Sequence, residues 1–150
     1  VETAGGSRSK PVVERNFPAA VPVPIGIDRS ALGVVRDGLY LATHIDYGTS
    51  SGIFGKYPGP IAGKTGTAEK VVTLRGPNGK VVYSGLLDQS WWCGWGPFDG
   101  GTYRGKAPIV VCALIENGGH GGDAAAPAAL RVFEQWFGVK APAAVLKPSD

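Results

Sequence analysis

The sequence has 150 residues, a hydrophobic fraction of 43%, and 15 Lys or Arg against 12 Asp or Glu for a formal charge of +3. That is enough apolar material for one packed domain, and the scattered basic residues leave no nucleic-acid patch. No stretch of about 18 apolar residues spans a membrane, no signal-peptide pattern opens the chain, the two Cys make no disulfide framework, and the lack of Met makes the sequence read as a fragment.

In chain order, residues 1–24 are punctuated by Gly and Pro and read as extended chain or a hairpin. Asp28 or Ser30 caps a predicted helix running to about Thr43, with Leu32, Val35, Leu39 and Ala42 at helical spacing as one apolar stripe. Residues 44–60 hold Gly48, Gly52, Gly55 and Gly59 and read as a loop. Ile61–Leu74 is a strand, Gly76–Gly79 a turn, Val81–Tyr83 a short extended piece, and Ser90–Trp95 an aromatic strand. Alternation along that strand sets Trp91 and Trp95 opposite Trp92, so one of the two faces is core. Pro108–Ile115 is a continuous apolar run, as a buried strand requires. Gly118–Gly122 is a glycine-rich loop. Ala124–Phe137 is a helix with Leu130, Phe133, Trp136 and Phe137 on one side, Pro127 in its first turn and Gly138 as its stop. The tail from residue 139 is rich in Pro and Ala and reads as frayed. Helix, about three antiparallel strands and a packing helix give an α+β class, an antiparallel sheet packed by helices.

Chemistry concentrates in Gly63-Lys64-Thr65-Gly66-Thr67-Ala68-Glu69. A phosphate loop needs its first Gly five residues before the second, and Pro58 stands there. It also needs a helix directly after Lys-Thr, whereas Gly66 and Val71-Val72 follow. A Lys-Thr-Gly strand of the penicillin-recognising serine enzymes fits better. An edge strand beside a cleft offers its backbone to an extended peptide, which binds as an added strand. Gly66 lets that peptide lie close. Lys64 sets positive charge where an anionic substrate end and a developing oxyanion would sit. Thr65 and Thr67 offer hydroxyls to a terminal carboxylate.

Several further blocks stand in matching order around that motif. With Ile61–Glu69, Ser90-Trp91-Trp92-Cys93-Gly94-Trp95-Gly96-Pro97, Ile109–Ile115 followed by Glu116-Asn117-Gly118-Gly119, Asp123–Pro127, Leu32–Leu39 and the Gly48-Thr49-Ser50 turn, the chain resembles the class B penicillin-binding proteins, the cell-elongation type of peptidoglycan D,D-transpeptidase in particular. The resemblance runs from about residue 25 to Gly138. It implies the C-terminal portion of a transpeptidase domain over residues 1–138, followed by the tail at 139–150. The family acylates a serine with a peptidoglycan stem peptide ending in D-Ala-D-Ala and passes the acyl group to an amine, and β-lactams stall the acyl-enzyme. Carried over to this sequence, Lys64, Thr65 and Gly66 belong to the catalytic strand. Thr65 and Thr67 hold the substrate carboxylate, and the Thr67 backbone N–H joins the oxyanion hole. The implied partners are the stem peptide, β-lactams, the missing N-terminal half of the same protein and the cell-elongation machinery. The implied location is the extracytoplasmic face of the bacterial cell membrane, anchored by an upstream segment.

The sequence departs from the family pattern in one respect: Ser-x-Asn occurs nowhere in it, and its literal Ser-x-x-Lys, Ser7–Lys10, follows Gly5-Gly6 and precedes Pro11, against a helix. The chain therefore carries no nucleophile and is expected to be inactive alone, with Ile109–Ile115 left as an unpaired edge. A β-lactam-sensor or cell-wall scaffold domain of the same fold is the alternative, separable by the upstream motifs. No cofactor or metal is expected, since two Cys without a His cluster make no zinc site. His44 and His120 read as structural or surface residues, and Glu69 as surface. Cys93 and Cys112 lie on neighbouring predicted strands, either as small core residues or as a disulfide that geometry must decide.

Overall fold

The structure, a computed structural model, describes residues 2–3, 12–13, 21, 23–24 and 26–142. In chain order the elements are β1 (Glu2–Thr3), β2 (Val12–Val13), α1 (Arg29–His44), α2 (Ser51–Phe54), β3 (Ala62–Arg75), β4 (Val81–Gly96), β5 (Ile109–Ile115) and α3 (Ala125–Phe137). β1 and β2 pair antiparallel, and β3, β4 and β5 form a second antiparallel sheet in that order. The class is α+β, as the pattern of elements predicts. Ser7 and Lys10 lie outside the described residues.

Asp28 starts α1: its Oδ1 accepts from the Ser30 N–H at 2.9 Å and the Ala31 N–H at 3.1 Å. The hydrogen bond from the Ser30 hydroxyl, followed by these backbone N–H groups, holds the Asp28 carboxyl below its ordinary pKa. The predicted apolar stripe is present but barely covered. Leu32 and Val35 are exposed, Leu39 and Ala42 half-buried, and Thr43 is the buried residue of the helix. The anchoring runs from Arg36, at the middle of α1, to Thr43 near its end. Thr43 Oγ1 sits 2.7 Å from the Ile61 carbonyl oxygen, Arg36 donates to the Phe98 carbonyl at 2.8 Å, and the Tyr40 ring lies 4.7 Å from that of Phe98.

Two elements differ from the sequence reading. The segment read as loop contains α2, one turn that drops Phe54 into the core. Four residues are too few for periodicity to register among so many glycines. The two separate pieces Val81–Tyr83 and Ser90–Trp95 are one strand, β4. Residues 84–89, which belong to neither piece, pair with β3, Ser84 opposite Thr73 and Gly85 opposite Val72, so the ladder carries the strand through them. β3 and β4 meet at the predicted turn, where Gly79 takes a positive φ of 74° and its N–H donates to the Gly76 carbonyl.

The core lies between the sheet and α3. Ser90, Trp92, Gly94 and Gly96 turn to this side, and Trp91 and Cys93 to the other. Trp92 is wholly buried between Phe54, stacked at 4.6 Å, and Phe133, edge-on at 5.8 Å. α3 brings Ala126, Ala129, Leu130, Phe133 and Phe137 to this core. Its alanines allow close approach to the strands, and Gly138 ends it at φ 65°. Spacing groups Trp136 with that face, but it remains 41% exposed and donates from Nε1 to the Ala107 carbonyl at 2.9 Å. A ring that wide stays on the flank once Phe133 and Phe137 have filled the space. The tail begins packed rather than frayed. Val139 and Ala141 lie against the core, and the Ala141 N–H donates to Glu134 Oε1 at 2.7 Å. Residues 143–150 lie outside the described residues.

Candidate functional site

The motif occupies the first half of β3, which among the described residues is an edge: β4 is its strand partner, with Lys64 opposite Cys93, Thr65 opposite Trp92, Gly66 opposite Trp91 and Thr67 opposite Ser90. No helix starts after Lys64-Thr65, so the geometry of a phosphate loop is absent from this segment.

Which backbone groups face the open side follows from the ladder. Cys93 and Cys112 stand opposite each other on β4 and β5, with Cα atoms 4.2 Å apart. That is close to the roughly 4.5 Å of a non-hydrogen-bonded antiparallel pair and well short of the roughly 5.5 Å of a bonded one. Cys93 therefore turns its N–H and C=O toward β3. A Cβ on Gly63 would stand 2.7 Å from the Cys93 carbonyl oxygen, and one on Gly94 would run into the Ala62 carbonyl, so both carbonyls lie between the two strands. Lys64 and Gly66 thus bond to β4. Thr65 and Thr67, one step out of phase, present N–H and C=O to the uncovered side. The Lys64 ammonium agrees, reaching 3.2 Å from the Thr65 carbonyl oxygen and 3.1 Å from its Oγ1. Lys64 and Thr67 are exposed, while Thr65 and Gly66 are half-buried. A cation, two hydroxyls and outward backbone groups therefore line one edge, an arrangement that receives an extended anionic chain end.

The strand is backed by residues to which the sequence assigns no such role. Ser90 is buried; its hydroxyl donates to the His120 carbonyl at 2.8 Å and accepts from the Ala125 N–H at 3.0 Å, tying the glycine-rich loop and the start of α3 to β4. Gly121 lies flat on the β3–β4 rungs. A Cβ there would stand 2.7 Å from the Gly66 carbonyl oxygen and 2.9 Å from its nitrogen. A Cβ on Gly122 would reach 3.4 Å from the Thr49 carbonyl, so the Gly48–Ser50 turn meets the same loop. Ser50 itself accepts from Trp92 Nε1 at 3.3 Å. The only signal for these roles in the sequence is the density of glycine in residues 118–122, which marks close backbone approach without naming its target.

The remaining candidates resolve simply. His44 is structural, its ring stacked on Tyr40 at 3.9 Å and its Nδ1 2.8 Å from Thr43 Oγ1. His120 is exposed, with its backbone rather than its ring tied in. Glu69 is exposed, across from Asp88. Cys93 and Cys112 are not core residues: both are exposed, and they are bonded to each other. Among the described residues no cluster of His, Cys, Asp or Glu is arranged to hold a metal. A cavity of about 270 Å³ opens between α2 and α3, lined by Gly52, Ile53, Lys56, Leu130 and Arg131 among others, but no residue of β3 borders it.

Comparison with known proteins covers the segment in which this strand lies. The family model for the penicillin-binding protein transpeptidase domain matches residues 4–134. The chain belongs to the penicillin-binding protein transpeptidase family. It is also similar to the peptidoglycan D,D-transpeptidase MrdA of Haemophilus influenzae, at 29% identity over 117 residues, which is 75% of this chain and 17% of that protein. The chain thus spans about a sixth of the length of this relative. Family membership and the α+β class agree with the resemblance drawn from the blocks around Lys64.

Proposed function

We propose that this chain forms the Lys-Thr-Gly wall of a peptidoglycan D,D-transpeptidase, which cross-links stem peptides through a serine acyl-enzyme and is trapped there by β-lactams. The observation that carries the reading is the open edge of β3, where the Lys64 ammonium stands beside the outward backbone groups of Thr65 and Thr67. The terminal carboxylate of a D-Ala-D-Ala peptide pairs with Lys64 and accepts hydrogen bonds from the Thr65 and Thr67 hydroxyls. The peptide backbone adds as a strand beside β3, close over Gly66. The Thr67 N–H points at the developing oxyanion. The similarity to MrdA supports the reaction class.

On this reading residues 1–138 are the C-terminal portion of the catalytic domain and residues 139–150 a tail. The serine nucleophile, its lysine base and the Ser-x-Asn motif come from the N-terminal half, so the chain by itself forms no acyl-enzyme. The protein works at the extracytoplasmic face of the bacterial membrane, held by a segment outside this sequence and alongside the cell-elongation machinery. The Cys93–Cys112 disulfide supports an oxidising compartment.

Labelled penicillin tests the proposal. The chain alone should take up no covalent label, and joined behind an upstream half carrying both missing motifs it should. In the joined protein Lys64→Ala should slow acylation by roughly 100-fold or more. Undiminished labelling of that variant would remove Lys64 from the site. An upstream half without the serine would favour the sensor or scaffold alternative.

A further inference from the structure

The Cys93–Cys112 disulfide sits in the same cross-strand row as Lys64: Lys64 pairs with Cys93, and Cys93 pairs with Cys112. Because Cys93 and Cys112 form a non-hydrogen-bonded pair, the backbone ladder supplies no bond between β4 and β5 at that rung. The disulfide is the link there. The flanking rungs, Val111 with Gly94 and Ala113 with Trp92, carry the backbone hydrogen bonds. Among the described residues β5 has β4 as its one strand neighbour, so its hold on the sheet depends on this side and on α3 beneath. Both cysteines are exposed, on the face turned away from α3, so a thiol in solution reaches the sulfurs without unfolding the core.

We propose that Cys93–Cys112 is a reducible clamp behind the Lys-Thr-Gly strand and a site of thiol–disulfide exchange with a dithiol reductant. One thiolate of the dithiol attacks a cysteine sulfur. The protein S–S bond breaks, and the electron pair leaves on the other cysteine, which takes a proton. The second thiol of the reductant then closes on the mixed disulfide and releases the remaining cysteine as a thiol. The dithiol is oxidised to a disulfide, and the protein gains two thiols and two electrons. With the clamp open, β5 is held to β4 by its flanking backbone bonds alone, with α3 still packed beneath it. Cys93, which bonds to Lys64 through its backbone, loses its tether on the far side. Its consequence for catalysis rests on the function proposed above, but the exchange chemistry and the loosening do not.

Hydrogen exchange on the 150-residue chain with and without dithiothreitol tests this, with alkylation and intact mass to count thiols. The protein prepared without reductant should show no alkylatable thiol, and dithiothreitol under native conditions should expose two. Exchange should then quicken by about tenfold or more at the amides of Val111 and Ala113 and by a smaller factor at those of Lys64 and Gly66, with the amides of α1 unchanged. The Cys93→Ala/Cys112→Ala variant should exchange like the reduced protein and ignore dithiothreitol. The two arms on the unsubstituted chain decide the matter even if this variant does not fold. Free thiols before reduction, a bond that resists dithiothreitol until the protein unfolds, or a cleaved bond with unchanged exchange would each overturn the clamp. None of these readings depends on penicillin binding.

Discussion

Helices α1 and α3 look alike in sequence and behave differently in the fold. Each carries a clear apolar side, yet α3 buries Ala125, Ala126, Ala129, Leu130, Phe133, Glu134 and Phe137, whereas α1 buries Thr43. The difference lies in what each meets. α3 lies across the face of β4 and β5 with Trp92 at its centre, while α1 touches the start of β3 and the Phe98 loop from Arg36 onward. An apolar stripe states what a helix is able to bury, and the neighbours decide whether it does. Substitutions that set the two helices against each other test this directly.

The largest effect belongs to Phe133→Ala. The ring is wholly buried and touches Phe54, Trp92 and Phe137, so its loss leaves a cavity at the centre of the core and should cost about 3–5 kcal/mol. Urea denaturation measures it through the midpoint. A loss below about 1 kcal/mol would mean that α3 is not docked as described. Gly121→Ala comes next. The added methyl would meet the backbone of Gly66 and Trp91, which has no flexible end to give way. The loop above α3 must lift, at a cost of about 1–3 kcal/mol. An unchanged midpoint would show that the loop does not lie on the β3–β4 rungs.

Titration reads α3 from its two buried ionisable contacts. Burial pushes the Glu134 carboxyl up, but the Ala141 N–H and the Arg131 guanidinium more than offset it, leaving the pKa below its ordinary value. A carboxyl with a depressed folded pKa contributes stability that is present above its unfolded pKa and is lost as the pH falls through the folded one. Glu134→Gln should therefore flatten the acid side of the stability curve. Tyr57, whose hydroxyl donates to the Phe133 carbonyl at 3.3 Å, is pushed up from 10.0 to about 12, chiefly by burial. Its raised value favours the neutral phenol in the fold. That contribution is present below pH 10 and is lost as the pH climbs toward about 12. Tyr57→Phe should remove this alkaline loss, and a curve that still drops over the same window would assign it to another group.

The parts that were legible in the sequence are those whose signal is local. A cap at Asp28 or Ser30, the turn at Gly76–Gly79, the stop at Gly138 and the alternation that sets Trp92 apart from Trp91 and Trp95 all follow from side-chain chemistry within a few residues; the fold then places the cap on Asp28 and the core on the Trp92 side. The motif around Lys64 was legible as a strand because its glycines and β-branched residues argue against a helix, and as an edge only through its resemblance to the Lys-Thr-Gly strand. What was missed depends on partners distant in the chain. Residues 84–89 join the two strand pieces only because β3 pairs with them. Trp136 reads as core until Phe133 and Phe137 take the space. The cysteines read as core or bonded until the register sets them side by side on the exposed face. Gly121 and Ser90 back the candidate site from a separate loop and strand, and no spacing within either segment announces that.

The smallest expected effect is the most informative about α1. Val35 lies on the predicted stripe and is 57% exposed. Truncating it to Ala removes little buried surface, and Ala is the better helix former by some tenths of a kcal/mol, because Val loses side-chain freedom against the preceding turn. The two terms nearly cancel, so Val35→Ala should shift stability by no more than about 0.5 kcal/mol in either direction. Gly33 and Gly38 flank it without contacts that a Cβ would disturb, so the site has no hidden packing partner to lose. A cost above about 1 kcal/mol in this chain would mean that the stripe is covered, and α1 would then have to be counted with α3. A negligible cost here that rises when the chain is joined to the N-terminal half proposed above would locate a cover for α1 in that half. The contrast between the helices would then record which neighbour each was built to meet.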